Sequence, residues 1–121
     1  MILNLTQHQA TPEQIAQGVV EPHKKVLIKD LLTFTSAPST EEVWVKARTL
    51  AALAEEAGAD SAMIGGAPYL MGKLEFSLKQ RGIKPLYSFT ERVSEEVHQP
   101  DGTVTKTNVF KHVGWVEGGV A

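Results

Sequence analysis

The chain contains no cysteine in its 121 residues. This excludes disulfide bonds, thiol nucleophiles and thiolate metal sites, and it fits a reducing compartment. Histidine is sparse as well: there are four, and no pair has the spacing of metal ligands on a helix. We therefore expect no metal site and no cofactor.

A strong excess of charge and long apolar runs are also missing. The formal net charge is -2, which argues against a protein that coats duplex nucleic acid through bulk positive charge. No apolar run approaches a membrane span, and the N-terminus lacks a basic region followed by an apolar stretch. We expect a soluble cytoplasmic protein, not bound to a membrane, that holds any anion by geometry.

Two common catalytic patterns are absent. The turn at Gly65-Gly66-Ala67 carries no serine, which excludes a nucleophile elbow at this point. No glycine is followed by lysine and a hydroxyl residue at the spacing of a Walker loop. Any catalytic activity must therefore use residues outside these two motifs.

The apolar content of the chain, 42% of its residues, is enough for one core and too little for two domains of ordinary size. Alternation and apolar runs predict strands at Ile2–Leu5 and Ser61–Ile64. Two alternating runs, Lys84 to His98 and Val104 to Val116, flank the turn Pro100-Asp101-Gly102 and predict a hairpin. With helices between the strands, this order predicts a single small Rossmann-like three-layer α/β domain over residues 1–121. Its central sheet is mostly parallel and ends in a C-terminal antiparallel β-hairpin.

Helix starts are marked by capping residues and prolines. Thr11 and Ser39 each open a capping-box pattern, Pro22 is expected to start a helix between them, and Pro68 suits the first position of a further helix. Glycines end three of these helices: Gly18, Gly58 and Gly82.

The most informative stretch runs from Ala62 to Val116, where the end of a strand, a double-glycine turn and a proline-started helix precede the hairpin. Unsatisfied amides and the helix dipole at such a turn favour an anion. Because open α/β sheets bind ligands beyond the carboxyl ends of their strands, we expect the loop after the first strand to contribute too. Basic side chains of the hairpin are candidates for neutralising phosphates, and a tyrosine for stacking on a base. The expected ligand contacts are Thr6, Gln7, Gly65, Gly66, Tyr69, Arg92 and Lys111.

His8 is the catalytic candidate, because a histidine can accept a proton or bind phosphate near physiological pH. The structural alternative is a loop histidine that hydrogen-bonds a helix cap. His112 alternates with Lys111 on the last strand, so the two face opposite sides. For His112 we favour packing beside Phe110 over a role in a pocket.

Several segments resemble a small CRISPR-associated family found with type III systems. The resemblance rests mainly on the C-terminal half, and the opening of the chain is similar to that family as well. The matching segments are Thr6-Gln7-His8, Thr11-Pro12-Glu13-Gln14, Tyr69-Leu70-Met71, Gly82 to Arg92, Pro100-Asp101-Gly102 and Val109 to Val113. Members of that family are proposed to act as ring nucleases, which bind cyclic oligoadenylate signals and, when active, cut them without a metal.

The resemblance implies that this chain binds a cyclic oligonucleotide, with cyclic oligoadenylate as the first expectation. Cleavage would proceed by attack of a ribose 2′-hydroxyl on the neighbouring phosphate. Two alternatives stay open: a sponge that holds the nucleotide without cutting it, and a phage or prophage module whose hairpin docks on a host protein. Since a cyclic ligand has internal symmetry, we expect a homodimer that presents the same loops twice.

Overall fold

Strands and helices alternate along the chain until a long C-terminal hairpin. A computed structural model describes residues 1–119. Its elements, in chain order, are β1 (Ile2–Leu5), α1 (Pro12–Ala16), β2 (Val19–Val20), α2 (Lys25–Leu32), α3 (Thr40–Glu56), β3 (Ser61–Ile64), α4 (Pro68–Gln80), β4 (Lys84–His98) and β5 (Val104–Glu117). In this part of the chain, no helix has the length and apolar character that crossing a membrane requires.

One sheet of five strands organises the fold, in the order β2-β1-β3-β4-β5. Neighbouring strands from β2 to β4 are parallel, whereas β5 is antiparallel to β4. The prediction of an α/β domain with a mostly parallel sheet and an antiparallel C-terminal hairpin is therefore confirmed. The chain adds β2 on one side of β1 and then crosses over to add β3 on the other, so the strand order reverses between β1 and β3.

The two faces of the sheet are covered unequally. A large apolar cluster joins one face to α2, α3 and α4, and its fully buried members include Leu5, Leu50, Leu70, Leu74 and Leu78. The cluster on the other face is small and consists of Ala10, Val19 and Met63, flanked by Ile2 and Trp115. Helix α1 lies on this second face, where Gln14 and the C-cap residue Gln17 bond to the hairpin.

The hairpin extends far beyond the rest of the sheet. Strand β4 pairs with β3 only over Lys84–Leu86, whereas its pairing with β5 continues to the turn. Most of the hairpin is thus a two-stranded ribbon, and such ribbons are marginally stable without further packing.

A β-bulge interrupts the hairpin near its base. Ser88 lies opposite Trp115 and Thr90 opposite His112, so two steps on β4 match three on β5, and Val113 is the extra residue. Without it, His112 and Trp115 would point to opposite faces, since side chains alternate along a strand. With it, the two rings lie together, their centroids 4.3 Å apart.

Local sequence signals predict most element boundaries correctly. The Thr11 hydroxyl accepts the Gln14 N–H and the Gln14 side chain accepts the Thr11 N–H, which completes the predicted capping box. Two expectations are corrected. The helix expected from Pro22 begins at Lys25, and the short strand β2 was not predicted.

Candidate functional site

Thr6, Gly65 and Ser88 lie near the carboxyl edge of the sheet and line one cleft. Leu5 pairs with Ile64, so the next residues, Thr6 and Gly65, are neighbours. Ser88 lies two positions after Leu86, the last residue of β4 that pairs with β3, and it lines the same cleft as Thr6 and Gly65. A Cβ built on Gly65 would lie 3.6 Å from the Thr6 methyl group, which confirms that the first two are adjacent. Because Gly65 has no side chain, it leaves space beside the Thr6 side chain.

This cleft has a volume of about 290 Å³. The cleft opens at the point where the strand order reverses, which is where open α/β sheets bind ligands. Its lining is neutral and rich in hydrogen-bonding groups: Thr6, Gln7, His8, Gln9, Thr11, Gln14, Met63, Ile64, Gly65, Gly66 and Ser88. Among the described residues, no lysine or arginine belongs to this lining. An anion here would be held by neutral donors.

Asn4 shapes the loop on one side of the cleft. Its side chain is only 1% exposed, although it lies in the middle of an apolar strand. The side-chain oxygen accepts the backbone N–H of Thr6 at 2.9 Å and the Thr6 hydroxyl at 2.7 Å. The side-chain nitrogen donates to the carbonyl of His8 at 2.8 Å. These bonds fix the turn that carries Gln7 and His8.

Glu21 anchors the same loop from the other side. Its Oε1 accepts from the Asn4 amide at 2.9 Å and from the Ala10 N–H at 2.7 Å, and its Oε2 lies 3.3 Å from the Lys25 ammonium. Burial acts to raise the pKa of Glu21, but the donors Ala10, Asn4 and Lys25 together bring that pKa below its ordinary value. The carboxylate is therefore ionised at neutral pH.

Gly65 and Gly66 bound the cleft opposite this loop. Parallel pairing of Leu5 with Ile64 directs the Gly65 N–H toward the Leu5 carbonyl, whereas within residues 1–119 the Gly66 N–H has no hydrogen-bond acceptor. Gly66 has a φ of 152°, a conformation that side-chain-bearing residues rarely adopt. Pro68 follows at the first position of α4, where its fixed φ suits the helix. The turn thus presents the Gly66 amide beside a helix N-terminus.

Ser88 connects the cleft to a buried histidine. Its Oγ lies 2.5 Å from Nδ1 of His112, and Nε2 of His112 lies 2.7 Å from Oε1 of Gln17. Gln14 donates to the Ser88 Oγ at 3.2 Å. Burial lowers the pKa of His112, with a smaller opposing effect from the charge of Glu13. The imidazole is therefore neutral at pH 7.

The His8 ring is exposed at the rim of the cleft, while its backbone is tied to Asn4 and Thr6. The side-chain amide of Gln7 donates to the Thr33 hydroxyl at 3.0 Å. A smaller groove on the far side of this loop includes Lys25 and Lys29. Positive charge therefore lies next to the cleft but outside its lining.

Three predicted ligand contacts lie elsewhere. Tyr69 packs edge-on against Phe34, with ring centroids 5.1 Å apart, and borders a different depression. Arg92 is on the cleft side of the hairpin, but four residues beyond Ser88, or about 13 Å along the strand. Lys111 points to the opposite face and pairs with Glu95 at 2.6 Å. The structure thus brings together Thr6, Gln7, His8, Gly65 and Gly66, but not these three.

Sequence reasoning missed Asn4, Gln14, Ser88 and His112 as members of one site. For His112 the favoured packing beside Phe110 is corrected, since its ring lies against Trp115. One signal was available: a polar asparagine inside an apolar strand is costly unless it is bonded. The hairpin turn was another, because it predicts that Ser88 and His112 are near neighbours across the strands.

The chain belongs to the uncharacterized protein MJ1673 family, whose family model matches residues 1–116. That match covers every helix and strand except the last residue of β5. No curated protein and no solved structure matches the chain.

Proposed function

We propose that this protein is a Rossmann-like domain that binds a cyclic oligonucleotide, with cyclic oligoadenylate as the first candidate, in the cleft between β1 and β3. Binding needs no metal and no cofactor. The observation that carries the proposal is the Gly66 N–H, which has no acceptor among the described residues, in a cleft whose neutral lining is rich in hydrogen-bonding groups. Backbone amides beside a helix N-terminus suit a phosphate without basic side chains.

Two further observations support a nucleotide. The strand order reverses beside the cleft, as it does at the nucleotide sites of doubly wound α/β domains. The resemblance to type III CRISPR-associated proteins involves segments that border the cleft, from Thr6 to Gln14 and from Gly82 to Arg92. Such a ligand implies a role in cytoplasmic antiviral signalling.

The proposal has a catalytic and a non-catalytic form. In the catalytic form, the ribose 2′-hydroxyl attacks the adjacent phosphorus and the 5′-oxygen leaves, which yields a 2′,3′-cyclic phosphate. His8 then serves as general base at the rim, where its ring is exposed to a ligand. In the non-catalytic form, the cleft sequesters the ring intact.

We also propose that the working unit is a homodimer formed through the hairpin. The ribbon exposes large apolar side chains, among them Phe110, which is 69% exposed. Covering this ribbon with a second copy would stabilise it and would bring two clefts into one symmetric assembly.

Labelled cyclic oligoadenylates of several ring sizes, mixed with the protein in the presence of EDTA, test the proposal. Retention on a filter measures binding, and chromatography of the products measures cutting. Intact retained ligand supports the sponge, and linear products support the nuclease. The absence of both retention and cutting would contradict the proposal and would favour the protein-interaction module.

The variant His8→Ala tests the catalytic form. If His8 transfers the proton, cutting slows by about 100-fold while binding stays within about twofold of wild type. His98→Ala is the matched control, because His98 is also exposed but lies at the far end of the hairpin. Undiminished cutting by His8→Ala would remove His8 as the base.

A further inference from the structure

We infer that Ser88 and His112 form a nucleophile and base pair, and that Ser88 Oγ attacks the phosphorus of a phosphoryl ester bound in the cleft. This goes beyond the proposed function, which assigns the nucleophile to the ligand's own ribose. It rests on the geometry of the pair, whichever phosphoryl ester is bound.

The hydrogen bonds around His112 set the direction of proton transfer. The amide oxygen of Gln17 can only accept, so the proton of His112 is on Nε2. Nδ1 then carries a lone pair, and the Ser88 hydroxyl 2.5 Å away donates to it. A neutral imidazole that accepts from a serine, and is oriented by a third group, is the arrangement that activates a hydroxyl nucleophile.

Ser88 Oγ is also held from a second side. Gln14 donates to it at 3.2 Å, which favours negative charge on this oxygen as its proton leaves. One lone pair of Oγ remains for a bound electrophile. Ser88 lines the cleft and is half-buried, whereas His112 behind it is 5% exposed. Within the described residues, Ser88 is therefore the member of the pair that a ligand can reach.

The glycine turn completes the arrangement, because Gly65 and Gly66 line the same cleft as Ser88. A phosphoryl group attacked by Ser88 can direct a non-bridging oxygen to the Gly66 N–H, which has no acceptor among the described residues.

The reaction balances with water as the only co-reactant. In the first step the Oγ–P bond forms, the bond from phosphorus to the leaving oxygen breaks, and the Ser88 proton passes through His112 Nδ1 to that oxygen. In the second step water attacks phosphorus and the Oγ–P bond breaks. One water proton passes through His112 back to Ser88.

A fluorophosphonate probe tests the pair independently of any natural ligand. Reaction forms an Oγ–P bond and releases fluoride, and the probe stays on the serine. Trypsin separates two informative peptides: residues 82–92 contain Ser88 as their single serine, and residues 93–106 contain Ser94 as theirs. Ser94 is the internal control, because it is exposed on the same hairpin and is not bonded to a histidine.

We expect the wild-type chain to carry the probe on Ser88 and not on Ser94. His112→Asn should slow the labelling of Ser88 by about 100-fold. No label on Ser88, equal labelling of Ser94, or an unchanged rate in His112→Asn would each overturn the inference. The wild-type result decides even where a variant does not fold.

Measuring both oligoadenylate binding and probe labelling on the same protein preparation distinguishes this inference from the proposed function. Oligoadenylate binding without labelling of Ser88 removes the serine nucleophile and leaves the binding proposal. Labelling of Ser88 without oligoadenylate binding supports the nucleophile and removes the proposed ligand.

Discussion

The side-chain amide of Asn4 donates to the carboxylate of Glu21 across 2.9 Å, although the two residues belong to different segments of the chain. Asn4 is in β1, and Glu21 directly follows β2. Through this bond and those to Thr6 and His8, a single asparagine holds the loop on one side of the cleft. The shape of the cleft therefore depends on a residue that does not line it.

Replacing Asn4 with alanine should lower the free energy of unfolding by about 2 kcal/mol, because several buried polar partners lose their bonds. Urea denaturation followed by circular dichroism measures the change. Asn108→Ala is the matched control: Asn108 is exposed on the hairpin, so its effect should stay within about 0.5 kcal/mol. Equal stability of the two variants would contradict this role for Asn4.

Stability should depend on pH through His112. Burial lowers the pKa of His112 in the folded state below the 6.5 of the unfolded chain, so the unfolded state binds its proton first as the pH falls. This contribution is complete above pH 6.5 and is lost as the pH falls from there through the folded-state pKa. Glu13, whose charge acts on His112, opposes part of the loss.

Urea denaturation of wild type and His112→Gln between pH 5 and pH 8 measures this effect. The difference in unfolding free energy between them should grow as the pH rises. A difference that is constant over this range would show that His112 has the same pKa in both states.

Two glycines near the turn should respond in opposite ways to alanine. Gly66 has a φ of 152°, so Gly66→Ala introduces strain of about 1 to 3 kcal/mol. Gly72 is exposed inside helix α4, and a Cβ there meets no atom within 4 Å. Gly72→Ala should therefore stabilise the protein by about 0.5 to 1 kcal/mol. Thermal unfolding of the two variants measures both changes in stability. If both variants shift the unfolding temperature in the same direction, the assignment at one of the two positions is wrong.

Lys111→Met should leave the affinity for an oligoadenylate within about twofold of wild type, because Lys111 is paired with Glu95 on the face away from the cleft. Titration calorimetry at two salt concentrations measures the affinity and its salt dependence. A weaker complex with a smaller salt slope would show that Lys111 meets phosphate, for example across a dimer.

The parts of the fold that were predictable depend on short-range signals. Thr11 and Gln14 are three residues apart, and Pro100-Asp101-Gly102 forms a turn on its own, so sequence alone identifies both. Strand β2 has two residues, and pairing with Ile2 and Leu3 of β1 defines it. No local pattern marks so short a strand.

The candidate site was predictable only in part, for the same reason. Gly65 and Gly66 follow an apolar run, and Thr6 to His8 follow another, so topology brings them to one edge. The surroundings of His112 depend on a bulge at Val113, which brings Trp115 to the same face, and on Gln17, which bonds to the imidazole from the end of α1. Both arise from packing between distant segments, which periodicity does not encode.

The thin covering over the second sheet face has a consequence for access. Helix α1 has five residues and packs over a cluster with only three buried apolar members among the described residues. The hydrogen bonds that join Gln14 and Gln17 to the hairpin therefore contribute much of its attachment. Local detachment of so short a helix requires less free energy than global unfolding. Hydrogen exchange should then be quicker in α1 than in α4, and transient lifting of α1 would give solvent a path to the imidazole enclosed beneath it.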